Sequence, residues 1–195
     1  GAELIQLPPV RAADKYFKVL IDENDKEIDD AFRERRRDLL LDAYAAAAPD
    51  VVMTELFPFG RRQLRLELTA LLDAAKAAAH PPLIVSSVRD ILVEPPKLER
   101  VAEMLERIET YYDRVLIHGD PTLIPFDETF AHADRIADLV AYTGYVVDTP
   151  QKTVGGVGSD EVIISAGGGA VSEELFRAAM AARPHTKLAD RTWRI

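Results

Sequence analysis

Short runs of β-branched and aliphatic residues recur through the middle of this chain, each interval leaving room for one helix. That alternation constrains the fold more than any other feature. Residues 50–54 (DVVMT), 83–87 (LIVSS) and 114–118 (RVLIH) are three such runs, and 140–143 (VAYT) reads as a fourth. Between the first two, Leu64, Leu68, Leu71, Leu72, Ala75 and Ala79 recur mostly three or four positions apart, which marks one face of a helix. Pro81-Pro82 stops that helix, because proline lacks a backbone donor and restrains the residue before it. Leu98, Val101, Leu105, Ile108 and Tyr112 mark a second amphipathic helix. Upstream, residues 30–48 are rich in Arg, Leu and Ala and predict another helix ahead of Pro49. Nearly continuous apolar strands separated by helices predict an α/β fold: a parallel sheet covered on both faces, with right-handed crossovers.

The pattern breaks after Tyr145. Residues 148–160 concentrate Pro, Gly and polar side chains, the composition of a linker. The alternation then restarts with a strand at 161–165, a tight Gly-rich turn at 166–170 and a helix over 171–183. A fresh strand, glycine loop and helix is how a second Rossmann-like domain begins. The expected organisation is therefore an N-terminal Rossmann-like domain over 1–147, a linker over 148–160, and the opening of a second domain over 161–195. One helix and the first residues of a second strand cannot close a core, so this last part must pack elsewhere or be completed elsewhere. The chain begins at Gly1 without an initiator Met, enters an apolar run over 3–7, and ends on Thr192-Trp193-Arg194-Ile195, which reads as a strand beginning. The expectation is a piece of a longer protein.

Composition excludes several function classes. With 48% hydrophobic and 29% charged residues the chain is neither a disordered tail nor a fibre nor a rod. Twenty-four Lys and Arg against 33 Asp and Glu give a formal charge of −9, which argues against general nucleic-acid binding. The absence of cysteine excludes disulfides, thiolate nucleophiles and thiolate metal sites. No HExxH pair or spaced carboxylate pair is present, so no catalytic metal and no cofactor is expected. The apolar stretches fall far short of the roughly 20 residues that span a bilayer, and no signal peptide is visible. A soluble cytoplasmic protein, with peripheral membrane contact at most, is the expectation.

Candidate sites cluster where strands end, because ligands of open α/β sheets bind beyond the carboxyl ends of the strands. After the first strand comes Glu55-Leu-Phe-Pro-Phe-Gly-Arg-Arg62. Phe57 and Phe59 offer an apolar wall there, and Arg61, Arg62 and Arg65 can grip an anion through paired donors. The alternative has the aromatics capping the core and the arginines in water. Ser86-Ser-Val-Arg-Asp90 follows the second strand, where Arg89 and Asp90 either pair with each other or meet a substrate. His118-Gly-Asp-Pro121 follows the third. Of the four histidines, His118 is best placed for acid–base work, although a histidine at a strand end also serves as a hydrogen-bonded structural group. Gly167-Gly168-Gly169 brings backbone N–H groups toward a helix N-terminus, where phosphates bind. Three glycines equally make a plain tight turn, and Glu173 and Glu174 compete for the same positive helix end.

Taken in order, VVMTELFPFGRRQLRLEL, PPLIVSSVRDILV, YYDRVLIHGDPTLIPF, VAYTGYV and VIISAGGGAV resemble a family of predicted bacterial glycosyltransferases. That family is distantly similar to the peptidoglycan N-acetylglucosaminyltransferase and belongs to glycosyltransferase family 28. The resemblance covers nearly the whole chain, from a strand at Leu4 to the turn at Ala170. It implies a two-Rossmann (GT-B) architecture and an inverting, metal-independent transfer from a nucleotide-sugar donor to an acceptor of unknown identity. By this resemblance the donor-phosphate loop is Gly167, Gly168, Gly169 and Ala170, with the polar run 172–174 as a departure. The substrate-binding residues facing the cleft would be Glu55, Phe57, Arg61, Arg62 and Arg89, and His118 or Asp120 would be the catalytic base. The family's first strand and acceptor loop would precede Gly1, and most of its donor domain would follow Ile195. The 195-residue chain alone is then expected to be inactive, with millimolar nucleotide affinity at best. Two other classes remain open: a nucleotide-sugar epimerase of the same fold, and a non-catalytic sugar- or nucleotide-binding module.

Overall fold

The computed structural model describes residues 3–14, 18–93, 97–148, 158, 160–166 and 172–195. The chain divides into two compact units, 1–146 and 147–195. The first unit opens with a small antiparallel pair, β1 (Arg11–Ala12) and β2 (Leu20–Ile21), which no periodicity in the sequence announced. Residues 3–10 form no regular element and Leu4 is exposed, so the strand expected at Leu4 is absent. Pro8 and Pro9 lack the N–H donors that would extend a ladder from this run.

Helix α1 (Asp30–Ala47) starts where Asp29 caps it, its side chain accepting from the Phe32 N–H at 2.8 Å. It ends at Ala48, whose left-handed backbone lets its N–H reach the Tyr44 carbonyl. Strand β3 (Val51–Glu55), α2 (Arg65–Ala77), β4 (Leu83–Arg89), α3 (Leu98–Tyr111), β5 (Arg114–His118) and β6 (Val140–Tyr142) follow. The four strands pair in the order β3-β4-β5-β6, all parallel, with Val51 opposite Leu83, Ser86 opposite Val115 and Val115 opposite Val140. This is the parallel α/β sheet flanked by helices that the alternation predicts.

The expectation of two covered faces is corrected. Val52, Ile84, Val88, Val115 and Ile117 point to one side, where they pack with Leu71, Leu72 and Ala75 of α2, Val101, Met104, Leu105 and Ile108 of α3, and Ile136. Helix α1 lies beside α2, and Leu40 and Tyr44 touch the same core. On the opposite face Val51, Met53 and Leu83 are 47%, 56% and 46% exposed, while Val85 between them and β5 is buried. The cause is the strand order. Crossovers of one hand that always step in the same direction place every connecting helix on the same face, and only a reversal of direction covers the other.

The second unit contains β7 (Glu161–Ile163), α4 (Glu173–Ala182) and β8 (Thr192–Arg194), with β7 and β8 parallel. None of its described residues is buried, as expected of a strand–helix–strand unit without further layers. Gly167, Gly168, Gly169 and Ala170 lie outside the described residues. No described helix is long and apolar enough to cross a membrane.

Candidate functional site

The loop from β3 to α2 is held at its centre by a single carbonyl. Phe57 O accepts from Ser86 Oγ at 2.9 Å and lies within hydrogen-bond distance of Thr54 Oγ1 (2.9 Å) and Tyr112 OH (3.0 Å), which are 2.9 Å from each other. All three hydroxyl residues are buried, so each polar group finds its partner within the core. The Phe57 side chain is only 2% exposed and belongs to the core, while Phe59 stacks edge-to-face on Phe126 and Phe130. The aromatics therefore cap the core, and Phe57 presents no open wall beyond the strand ends. Around this anchor Leu56 and Arg61 both adopt left-handed backbone (φ 63° and 56°), a conformation that side-chain-bearing residues keep only where surrounding contacts impose it.

That conformation sends the arginines apart. Arg61 turns back on Glu55, its Nε and one terminal nitrogen reaching Oε2 at 3.0 and 2.7 Å. Arg62 reaches Glu103 of α3 at 3.3 Å. The pair therefore does not grip one anion as it stands, and the Arg61 charge is already met by Glu55.

Strand alternation puts Ser87 and His118 on the open face of the sheet, at its carboxyl end. Ser87 Oγ lies 2.7 Å from His118 Nε2, and His118 Nδ1 lies 2.7 Å from Thr143 Oγ1, just past β6. Thr143 Oγ1 also lies 2.9 Å from the Gly144 carbonyl, and when its proton goes there its oxygen accepts from His118 Nδ1–H. In that tautomer the neutral imidazole has a bare Nε2, to which the Ser87 hydroxyl then donates. Neighbouring strands thus bring an imidazole and two hydroxyls together. Ser87 and Thr143 were not singled out in the sequence, although each follows an apolar run at a strand end.

Asp120 has another task. Its Oδ1 accepts from Thr122 Oγ1 and Thr122 N–H at 2.7 and 2.8 Å, and these bonds hold its carboxyl below the usual carboxylate range. It shapes the turn after β5. Asp90 accepts from Ile91 N–H at 2.9 Å and from Tyr145 OH at 3.1 Å, and does not pair with Arg89. Arg89 is exposed and lies beside His118 in the sheet register, with no partner among the described residues. The site so described comprises His118, Ser87 and Thr143, with Glu55, Arg61, Arg89, Asp90 and Tyr145 at the neighbouring strand ends.

Among the described residues no three His, Asp or Glu side chains are grouped so as to hold a metal ion. Compared with protein-family models, curated proteins and solved structures, the chain matches none of them.

Proposed function

We propose that this chain supplies the acceptor-side domain of a GT-B glycosyltransferase of the family 28 type, which moves a sugar from a nucleotide-sugar donor to an acceptor hydroxyl. The observation that carries the reading is the hydrogen bond between Ser87 Oγ and His118 Nε2, at the carboxyl end of a parallel sheet. A base already oriented to take a proton from a hydroxyl is what inverting transfer requires. In that step the acceptor oxygen bonds to the anomeric carbon as the bond from that carbon to the donor's phosphate oxygen breaks. The nucleoside diphosphate leaves with the electron pair, and the acceptor proton passes to His118 Nε2, directly or through Ser87. Of the two bases considered, His118 is preferred to Asp120, whose hydrogen bonds to Thr122 lower its basicity. Arg89 and Arg61 border the same strand ends and would face the charged donor.

The test is product analysis. Because the reading gives this chain only the acceptor-side wall, the full-length protein, with its donor-side domain, is incubated with a panel of nucleotide sugars, with and without hydroxyl acceptors, and His118→Gln is run beside it. Transfer to an acceptor that falls by about 10²–10⁴-fold in the variant supports the reading. Epimerised sugar formed without an acceptor would replace it with the epimerase, and bound but unchanged ligand would replace it with a binding module.

A further inference from the structure

The helix side of the sheet holds a cavity of about 230 Å³ between the β3–α2 loop and the exposed flank of α3. Its apolar lining is Phe57, Pro58, Phe59, Val93 and Met104, of which Phe57, Phe59 and Met104 are buried core residues. Four arginines, Arg62, Arg65, Arg100 and Arg107, also line it. The one acid among the lining residues is Glu103, which reaches Arg62 at 3.3 Å and Arg107 at 3.6 Å. Arg65 touches only the Arg62 carbonyl, at 3.4 Å, and Arg100 has no ion pair among the described residues.

The lining is strongly biased toward positive charge. Among the described lining residues four arginines stand against one carboxylate, in a chain whose overall formal charge is −9. Arg65 is the first residue of α2 and Arg100 the third of α3, so two of the four sit in the first helical turn. Cations there oppose the positive end of the helix dipole. A solvated basic patch would spread its arginines over a convex surface. Here they surround a concavity, with planar donors suited to phosphate oxygens.

We infer that this cavity binds a phosphate-bearing ligand carrying at least two negative charges, held by Arg62, Arg65, Arg100 and Arg107 with its apolar portion against Phe59 and Met104. A single carboxylate would leave two of the charges unmet. The site lies on the face of the sheet opposite His118, and the inference stands whether or not His118 serves glycosyl transfer.

The experiment is calorimetric titration of the protein with pyrophosphate at fixed ionic strength, beside two double variants that lose the same charge. Arg65→Gln/Arg100→Gln removes two guanidinium groups that hold no carboxylate, and Arg33→Gln/Arg114→Gln removes two elsewhere. The expected result is binding that weakens at least tenfold in the first variant and stays within about twofold in the second, where tenfold is about 1.4 kcal/mol. A parallel arm with phosphatidic acid in phosphatidylcholine vesicles distinguishes a lipid headgroup from a soluble phosphate. Binding in either arm that only the first variant loses supports the site. Binding in neither arm, or equal loss in both variants, overturns it. Thermal unfolding of each variant verifies that the fold is kept.

Discussion

A Cβ placed on Gly119 would fall 2.5 Å from the Cβ of Asp90. The turn after β5 therefore presses directly on the turn after β4, at a point that only glycine allows. The contact fixes where His118, the residue before Gly119, leaves its strand. It also explains why the glycine of HGDP and the aspartate of SVRD, 29 positions apart in sequence, belong to one constellation. Asp90 is not free to withdraw, because Ile91 N–H, Tyr145 OH and Thr129 all hold it or its backbone.

Gly119→Ala should then destabilise the protein by about 1–3 kcal/mol, the usual range for forcing an atom into a filled space. Denaturant unfolding measures it. A loss below about 0.5 kcal/mol would show that the two turns can move apart.

The tautomer of His118 is a second expectation. Nitrogen-15 NMR of the neutral imidazole should show a protonated Nδ1 and a bare Nε2, the tautomer in which Thr143 donates to Gly144 O and accepts from the ring. Thr143→Val removes that acceptor and should shift the proton toward Nε2. An unchanged spectrum in the variant would show that Thr143 does not orient the ring.

A third expectation concerns the joint between α1 and α2. Arg36 and Glu67 form a paired salt bridge at 2.8 and 2.9 Å, both side chains being less than a tenth exposed, and Arg36 also donates to Pro8 O. Glu67→Gln leaves a buried guanidinium without its counter-charge and should cost about 3–5 kcal/mol. The double variant Arg36→Met/Glu67→Leu should recover most of that stability, because it removes both desolvation penalties together. Additive losses in the double variant would contradict this account.

Alkaline pH supplies the fourth. Burial pushes the Tyr112 phenol well above its ordinary value of 10. Above pH 10 the unfolded chain releases this proton while the folded one keeps it. Stability from this group is complete below pH 10 and falls by about 1.4 kcal/mol per unit as pH rises toward the folded value. Tyr112→Phe should show a shallower decline between pH 10 and 12, read from denaturant midpoints across that window. Parallel declines would mean that other groups carry the alkaline transition.

Much of the scaffold was legible in advance because its signals are local. The runs 83–87 and 114–118 become β4 and β5, and the helix spacing after Leu98 becomes α3 (Leu98–Tyr111). Periodicity of two or of three to four reports which face of an element is apolar, and that was enough for a parallel α/β sheet. The site was legible only in part. A histidine at a strand end can be picked out of a sequence. The partners of His118, Ser87 and Thr143, are 31 and 25 positions away, and although each ends an apolar run, nothing local says that the three meet.

What the sequence determined by itself, then, is the order and type of the elements of the sheet, since hydrophobic spacing and proline breaks act within a dozen residues. Only the tertiary structure decided which faces those elements would share. A parallel register brings Arg89 beside His118 and Ser87 beside Leu116, and that registry depends on how whole strands pair. The same holds for the loop after β3. Its sequence presents Arg61 and Arg62 side by side, yet a left-handed backbone at Arg61 and an anchor at the Phe57 carbonyl direct one to Glu55 and the other to α3. Adjacent residues diverge and distant ones meet because buried hydroxyls must find partners and packed loops must avoid one another, and both constraints act only once the chain has folded.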